Sequence, residues 1–132
     1  MKPRLLLDTH IVLRWLYGPK KLSREQLRLI EAATKRGELL GVSAVTPLEI
    51  AILVSDHKLE VDGALDIFLD SLSQTPFELL PLTPAVSFEA GAMASLKDPF
   101  DRTIAATARV HGLRLVTSDH RIIDSNLVST IE

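Results

Sequence analysis

The chain has 132 residues, of which 46% are hydrophobic and 24% charged, so its composition is that of a globular protein and excludes a disordered chain. It contains no cysteine, which excludes a disulfide framework, a thiolate metal site and a cysteine nucleophile. The 15 basic and 17 acidic residues leave a formal net charge of −2, which argues against nucleic-acid binding through bulk positive charge alone. The length suits one compact domain, and we expect it to cover residues 1–132.

The first predicted elements are a strand and two helices. Residues 5–7 are a continuous apolar run, which indicates a short strand buried on both faces. Residues 9–16 follow as a short helix. A second helix is predicted to begin after Ser23, a good N-cap residue, and to end at about Arg36, before Gly37.

The middle of the chain predicts a second strand and two more helices. Residues 39–43 form the strand, and Thr46 is expected to cap an apolar helix that runs to about Ser55. The sequence Thr46-Pro47-Leu48-Glu49 has the form of a capping box. Apolar residues at helical spacing then predict an amphipathic helix, and they are Leu65, Phe68, Leu69 and Leu72.

The last part of the chain continues the alternation of strands and helices. Residues 77–82 are predicted as a strand, 84–96 and 99–111 as helices, 113–117 as a fourth strand and 127–131 as the region of a short fifth. The alternation predicts a three-layer α/β/α fold around a central parallel sheet of about five strands. In such sheets, functional sites form at the carboxyl ends of the strands.

Five acidic residues are predicted to reach that edge of the sheet. Asp8 and Asp119 follow the first and fourth strands, and Glu49 lies near the start of the helix after the second strand. Asp98 and Asp101 flank the start of the helix that leads into the fourth strand. Because these helices run antiparallel to the strands, their N-termini lie at the carboxyl edge, and we expect all five acids to gather there.

Each of these acids also has a purely structural interpretation as a helix cap or a first-turn residue. Capping, however, does not require the capped ends to cluster in space. Several carboxylates facing one pocket repel one another unless a cation binds, and oxygen donors without cysteine favour Mg²⁺ or Mn²⁺. The predicted cluster is therefore typical of metal-assisted phosphodiester hydrolysis, in which one carboxylate orients the attacking water.

Four segments match a known family in order and spacing: 5–9, 43–51, 98–108 and 112–119. On these segments the chain resembles the PIN-domain ribonucleases, and most closely the VapC-type toxins of prokaryotic toxin–antitoxin pairs, over essentially its whole length. The resemblance implies a PIN-like fold and an endoribonuclease that acts as the toxin of a type II system. It also implies a homodimer and inhibition by a cognate antitoxin.

The resemblance further implies a metal-binding catalytic quartet that uses Mg²⁺ or Mn²⁺. The quartet maps onto Asp8, Glu49, Asp101 and Asp119. The family's small hydroxyl positions map onto Thr9 and Ser118, which are expected to hold a carboxylate or a water beside the site. Asp98 belongs to the Asp-Pro-Phe-Asp-Arg variant of one subgroup, and we interpret it as a helix cap first and a ligand second.

Basic residues and histidines near the site leave alternatives open. Arg102 either faces a phosphate or pairs with an acid. His10 is interpreted as a partly exposed polar side chain, with a phosphate contact as the alternative. The first 36 residues carry nine basic and three acidic groups, and their densest positive region is a solvated helix face or an RNA-backbone contact. The residues of this region with a possible RNA-binding role are Arg14, Lys20, Lys21 and Arg24.

Two other classes of function remain as alternatives. A receiver domain or a phosphohydrolase also carries aspartates at strand ends, but a receiver needs a late lysine and the last lysine here is Lys97. A haloacid-type phosphatase needs Asp-x-Asp after the first strand, where this chain has Asp8-Thr9-His10. The third possibility is a catalytically inactive PIN-fold binding module.

The apolar segments also bear on location. No apolar run approaches the roughly 20 residues that a membrane span requires. The run at residues 5–7 is too short for the core of a signal peptide. We therefore expect a cytoplasmic protein without a membrane association.

Overall fold

A computed structural model describes residues 2–132. Its five strands form one sheet in the order β3-β2-β1-β4-β5, and every neighbouring pair is parallel. The strands are β1 (Leu5–Leu7), β2 (Leu40–Ser43), β3 (Phe77–Leu80), β4 (Arg114–Val116) and β5 (Thr130–Ile131). The central strand β1 is buried along its whole length, as its uninterrupted apolar run predicts.

Helices cover both faces of the sheet. They are α1 (Thr9–Tyr17), α2 (Arg24–Lys35), α3 (Val45–Ser55), α4 (Leu65–Ser71), α5 (Pro84–Ala92), α6 (Pro99–His111) and α7 (His120–Ser125), with a 3₁₀ turn at Pro19–Lys21. One apolar core contains residues of α1, α2 and α4, and the other contains residues of α5, α6 and α7. Leu5 and Leu7 point into the first core and Leu6 into the second. The three-layer α/β/α prediction with a five-stranded parallel sheet is confirmed.

Every predicted strand after β1 is somewhat shorter than expected, and so is helix α5. Strand β3 ends at Leu80 because its partner β2 ends at Ser43, the residue paired with Leu80, so Pro81 and Leu82 have no strand beside them. Helix α5 ends at Ala92 rather than residue 96, since Met93 leaves the helical backbone conformation. Among residues 2–132, every helix is too short or too polar to span a membrane.

The predicted capping box at the start of α3 is wrong. The helix begins at Val45, two residues earlier than a cap at Thr46 predicts, and the backbone N–H of Val45 donates to Oγ of Ser43 at 3.3 Å. Thr46 therefore lies inside the helix, fully buried, and its hydroxyl is 3.0 Å from that of Thr9. Since Thr46 does not cap the helix, the Glu49 side chain is free to turn towards the carboxyl edge of the sheet.

Three of the acids do cap helices at that edge. Asp8 caps α1 by accepting from the N–H of Thr9, and Asp98 caps α6 by accepting from the N–H groups of Phe100 and Asp101. Asp119 caps α7 in the same way. The capping and clustering interpretations are thus compatible, because the capped helix ends meet at one place.

Candidate active site

Five acidic side chains line one cavity at the carboxyl edge of the sheet. They are Asp8, Glu49, Asp98, Asp101 and Asp119. Thr9, His10, Leu13, Leu53 and Arg121 complete the lining. Residues from the two ends of the chain thus meet in space, since β1 and β4 are adjacent strands in the sheet.

Asp8 is the most buried of the five acids, with 4% of its surface exposed. Its Oδ1 accepts from the backbone N–H of Thr9 at 2.8 Å, and its Oδ2 accepts from the hydroxyl of Thr117 at 2.7 Å. The same Oδ2 lies 3.5 Å from Nδ1 of His10. Each oxygen has a donor, which compensates for the burial of a charged group.

Glu49 is tied to the start of α1. The hydroxyl of Thr9 donates to Oε1 of Glu49 at 2.6 Å. Burial raises the pKa of Glu49, the Thr9 hydrogen bond opposes that rise, and the charges of Asp8 and Asp98 add to it. Thr9 therefore holds a carboxylate, which is one of the two roles expected for it.

Asp101 shows the electrostatic consequence of the cluster most clearly. Burial is the largest cause that raises its pKa, and the charges of Asp98, Asp119 and Asp8 raise it further, to about 7. A carboxylate with such a pKa is partly protonated near neutral pH. An added cation would relieve the repulsion and restore the ionised form.

Arg121 contacts the acids from the first turn of α7. Its Nη2 donates to Oδ2 of Asp119 at 3.0 Å, and its Nε donates to Oδ1 at 3.2 Å. The same Nη2 lies 3.7 Å from Oδ2 of Asp101. The hydrogen bonds from Arg121 are the main reason that the pKa of Asp119 is lowered. The Arg121 side chain is nevertheless 74% exposed.

His10 is more constrained than the sequence interpretation allowed. Its side chain is only 33% exposed, and Nε2 accepts from the backbone N–H of Ser118 at 2.9 Å. An accepting Nε2 requires the neutral tautomer with the proton on Nδ1, which then points at Asp8. Burial is the main reason that the pKa of His10 is lowered. The imidazole therefore connects the residues that follow β1 and β4.

Ser118 and Arg102 do not line the carboxylate cavity. The Ser118 hydroxyl accepts from Nη1 of Arg14 at 3.3 Å and from Nε2 of Gln26 at 3.1 Å. Nε of Arg102 donates to the carbonyl of Leu96 at 2.6 Å, so the side chain anchors the loop before α6 rather than facing a phosphate or an acid.

The basic residues of the N-terminal region separate into two groups. Arg14 is part-buried beside Ser118, whereas Lys20, Lys21 and Arg24 are exposed. None of the four lines the carboxylate cavity.

Several contributors were missed in the sequence. The hydroxyl of Thr117 accepts from the N–H of Asp119 at 3.1 Å in addition to holding Asp8. Gln26 is fully buried, and its amide also donates to the carbonyl of Thr117 at 3.3 Å. A signal for Gln26 existed, because Ser23 and Gln26 form a capping box. Arg121 had no such signal, since its role depends on where α7 places it.

The arrangement of donors bears on metal binding. Within residues 2–132, no three acidic or histidine side chains stand close enough together to hold a cation directly. Hydrogen bonds from Thr9, Thr117 and Arg121 give Glu49, Asp8 and Asp119 each a protein donor. Mg²⁺ usually binds one or two carboxylates and keeps several waters. An all-oxygen donor set in one shared cavity therefore fits a hydrated Mg²⁺ or Mn²⁺ ion.

The sequence profile of the PIN domain family matches residues 5–125, nearly the whole chain. The chain belongs to the PIN domain family. It is 34% identical over 120 residues to Ribonuclease VapC22 of Mycobacterium tuberculosis (strain ATCC 25618 / H37Rv), a match that covers 89% of this chain and 88% of that protein. Membership in the PIN family excludes the receiver-domain and phosphatase alternatives.

Solved structures share the PIN fold at lower identity. VapBC2 from Rickettsia felis, bound to a DNA fragment from its promoter, matches with a TM-score of 0.72 and 17% identity, covering 99% of this chain and 98% of that one. FitAcB from Neisseria gonorrhoeae matches with a TM-score of 0.68 and 20% identity, covering 97% and 96%. These similarities support the three-layer PIN fold of the chain.

Proposed function

We propose that the protein is a metal-dependent endoribonuclease and the toxin of a type II toxin–antitoxin pair. The observation that carries this proposal is the cavity in which Asp8, Glu49, Asp101 and Asp119 meet. The similarity to Ribonuclease VapC22 supports RNA as the substrate, and the VapBC complexes with the same fold support an antitoxin partner. The whole of residues 1–132 would form one nuclease domain in the cytoplasm.

The four carboxylates would hold Mg²⁺ or Mn²⁺. The bound ion would neutralise phosphate charge and lower the pKa of a nearby water. Asp8 is pre-oriented for this purpose by Thr117 and His10, and Glu49 is pre-oriented by Thr9.

The remaining residues have supporting roles in this proposal. Asp98 caps α6 and thereby holds Asp101 at the helix start, while its negative charge raises the pKa of Asp101. With a cation bound, Asp101 would be ionised, and one of the four carboxylates would orient the attacking water as a general base. Ser118 and Arg102 position the backbone around the cavity and do not touch the substrate.

The negative charge of the cavity also bears on the proposed antitoxin partner. An antitoxin segment bearing arginine would bind the carboxylates as Arg121 already does from within the chain, through charge-assisted hydrogen bonds. A homodimer is proposed from the family alone. Sedimentation equilibrium of the isolated protein tests it, with a mass of twice 14.5 kDa expected.

The decisive experiment is RNA cleavage by the purified chain at saturating Mn²⁺. The parent is expected to cut RNA internally, and Asp8→Asn is expected to lose at least about 100-fold in rate, since the buried carboxylate is removed without a change in size. Asp70→Asn is the matched control, because Asp70 is an exposed acid on α4, outside the cavity. Cleavage by Asp8→Asn at the parental rate would exclude the proposal. No cleavage by the parent at saturating Mn²⁺ would favour an inactive binding module.

A further inference from the structure

A second groove adjoins the carboxylate cavity along α1. Its lining includes Leu13, Arg14, Tyr17, Lys21, Leu59 and Glu60. Leu13 lines both the groove and the carboxylate cavity, so the two lie side by side on α1. A single strand that leaves the cavity along α1 would reach this groove.

Helix α1 sets the distance between the carboxylate cavity and the groove. Thr9, Leu13 and Tyr17 are four residues apart along α1 and therefore share one face of the helix. At a rise of about 1.5 Å per residue, Tyr17 lies about 12 Å along the axis from Thr9. That distance is roughly three to four stacked nucleotides at about 3.4 Å each. The groove is thus within reach of a single strand whose phosphate occupies the cavity.

Tyr17 is held rigidly but remains exposed. One side of its ring stacks on Phe68, with centroids 5.9 Å apart and an angle of 17° between the planes. Its hydroxyl accepts from the backbone N–H of Asp62 at 3.3 Å. The residue is still 43% exposed and lines the groove. A fixed aromatic ring with an open surface is a stacking platform, because little conformational entropy is lost when a base packs on it.

The charges of the groove favour a polyanion on one side. Arg14, whose Nη1 donates to the hydroxyl of Ser118, and Lys21 are contributed by α1 and the 3₁₀ turn after it. Leu59 and Glu60 come from a separate segment, which follows α3. Phosphates are therefore attracted to the side of Arg14 and Lys21, and the base is left to the apolar surface of Tyr17 and Leu59.

We propose that this groove binds one unpaired nucleotide of the RNA strand, about three to four nucleotides from the cleavage site. Its base stacks on Tyr17, and its phosphates contact Arg14 and Lys21. The inference rests on the proposed ribonuclease function and adds to it a requirement for single-stranded RNA on one side of the cut.

The test is a double-mutant cycle between the ring and the base. Equilibrium binding of a fluorescent single-stranded RNA is measured by anisotropy, in an Asp8→Asn background that prevents cleavage. Oligonucleotides with a single abasic position are scanned along the strand. Tyr17→Ala is expected to weaken binding roughly 5- to 150-fold, the usual range for loss of one base–aromatic stack. One abasic position is expected to weaken RNA binding by the protein with Tyr17 intact as much as Tyr17→Ala does. The same abasic position is expected to leave the affinity of Tyr17→Ala unchanged.

Two further variants separate stacking from folding. Tyr17→Phe keeps the ring and is expected to bind within about threefold of the parent. Tyr17→Leu keeps apolar volume against Phe68 and replaces Tyr17→Ala if that variant unfolds. Phe88→Ala is the matched control, because Phe88 is a 79% exposed aromatic residue on α5 and lies outside the groove.

The outcomes distinguish the inference from the proposed function. If the parent cleaves RNA but no abasic position is coupled to Tyr17, the groove assignment is overturned and the nuclease proposal stands. If Phe88→Ala weakens RNA binding as much as Tyr17→Ala does, the groove assignment is also overturned. If the parent neither cleaves nor binds RNA, both are overturned.

Discussion

The guanidinium of Arg121 spans two of the proposed metal ligands. Its Nη2 lies 3.0 Å from Oδ2 of Asp119 and 3.7 Å from Oδ2 of Asp101. In the proposed function, a divalent cation held by these two carboxylates would compete with Arg121 for their oxygens.

Removal of this competitor is predicted to tighten metal binding. Arg121→Ala should lower the Kd for Mn²⁺ severalfold in calorimetric titration, because Asp119 loses its cationic partner and the repulsion in the cavity increases. The Kd of Arg121→Lys for Mn²⁺ should lie between those of the parent and of Arg121→Ala, since a lysine provides a point charge without the bidentate geometry. Arg109→Ala is the control, because Arg109 pairs with Glu89 away from the cavity. Weaker Mn²⁺ binding by Arg121→Ala alone would contradict the competition.

Asp101 is predicted to make the metal-free protein less stable as the pH rises. Its pKa is about 7 in the fold and 3.8 ordinarily, so between these values the folded state binds more protons than the unfolded state. Stability then decreases from about pH 4 to pH 7. The raised pKa of Glu49 acts in the same direction. The lowered pKa of Asp119 acts in the opposite direction. It makes the fold less stable as the pH falls below about 3.8.

Urea unfolding in the presence of a chelator measures this dependence. The free energy of unfolding should be lower at pH 7.5 than at pH 5, and Asp101→Asn should reduce the difference. Saturating Mn²⁺ should also remove it, since the cation stabilises the ionised carboxylates. An increase in stability across this range that Asp101→Asn leaves unchanged would show that the carboxylates do not repel as described.

Thr117 is predicted to be a structural requirement of the site. Its buried hydroxyl donates to Asp8 and accepts from the N–H of Asp119, so Thr117→Val removes a hydrogen-bond partner from each of them. A loss of about 1–3 kcal/mol in the free energy of unfolding is expected. Thr117→Ser keeps the hydroxyl and should retain most of the Mn²⁺ affinity that Thr117→Val loses. Equal Mn²⁺ affinity in the two variants would show that the hydroxyl does not position Asp8.

The exposed basic residues are predicted to contribute to RNA affinity through charge. Reversal of Lys20, Lys21 and Arg24 to glutamate should weaken RNA binding and lower the slope of log affinity against log salt by about 0.7 per lost phosphate contact. Reversal of Lys58, an exposed lysine beyond the end of α3, is the control. If affinity and slope both stay at the parental values, these residues form only a solvated helix face.

Much of the fold was predictable because local patterns and chain order agree. The apolar run of β1, the N-cap at Asp98 and the left-handed Gly112 that ends α6 all appear in the sequence as they do in the structure. The gathering of the acids followed from the rule that strand ends and helix starts share one edge. That rule needs only the order of elements along the chain.

The contacts within the site were less predictable, because they depend on distances of a few ångströms between segments far apart in sequence. His10 was interpreted as a partly exposed polar side chain, and it is, but the sequence did not predict the hydrogen bond that it accepts from Ser118, 108 residues later. Thr46 had the form of a helix cap, but an earlier start of α3 turned its hydroxyl to Thr9. A shift of two residues in the start of a helix hardly changes the sequence pattern, but it changes which side chains meet.

The central claim is that these carboxylates hold the divalent cation used for RNA hydrolysis. Anomalous diffraction at the manganese edge, from crystals grown with Mn²⁺, tests it most directly. The account predicts a peak within about 2.5 Å of a carboxylate oxygen of Asp8 and of at least one among Glu49, Asp101 and Asp119. It also predicts the loss of that peak in Asp8→Asn. A peak elsewhere, or no peak at saturating Mn²⁺, would contradict the account.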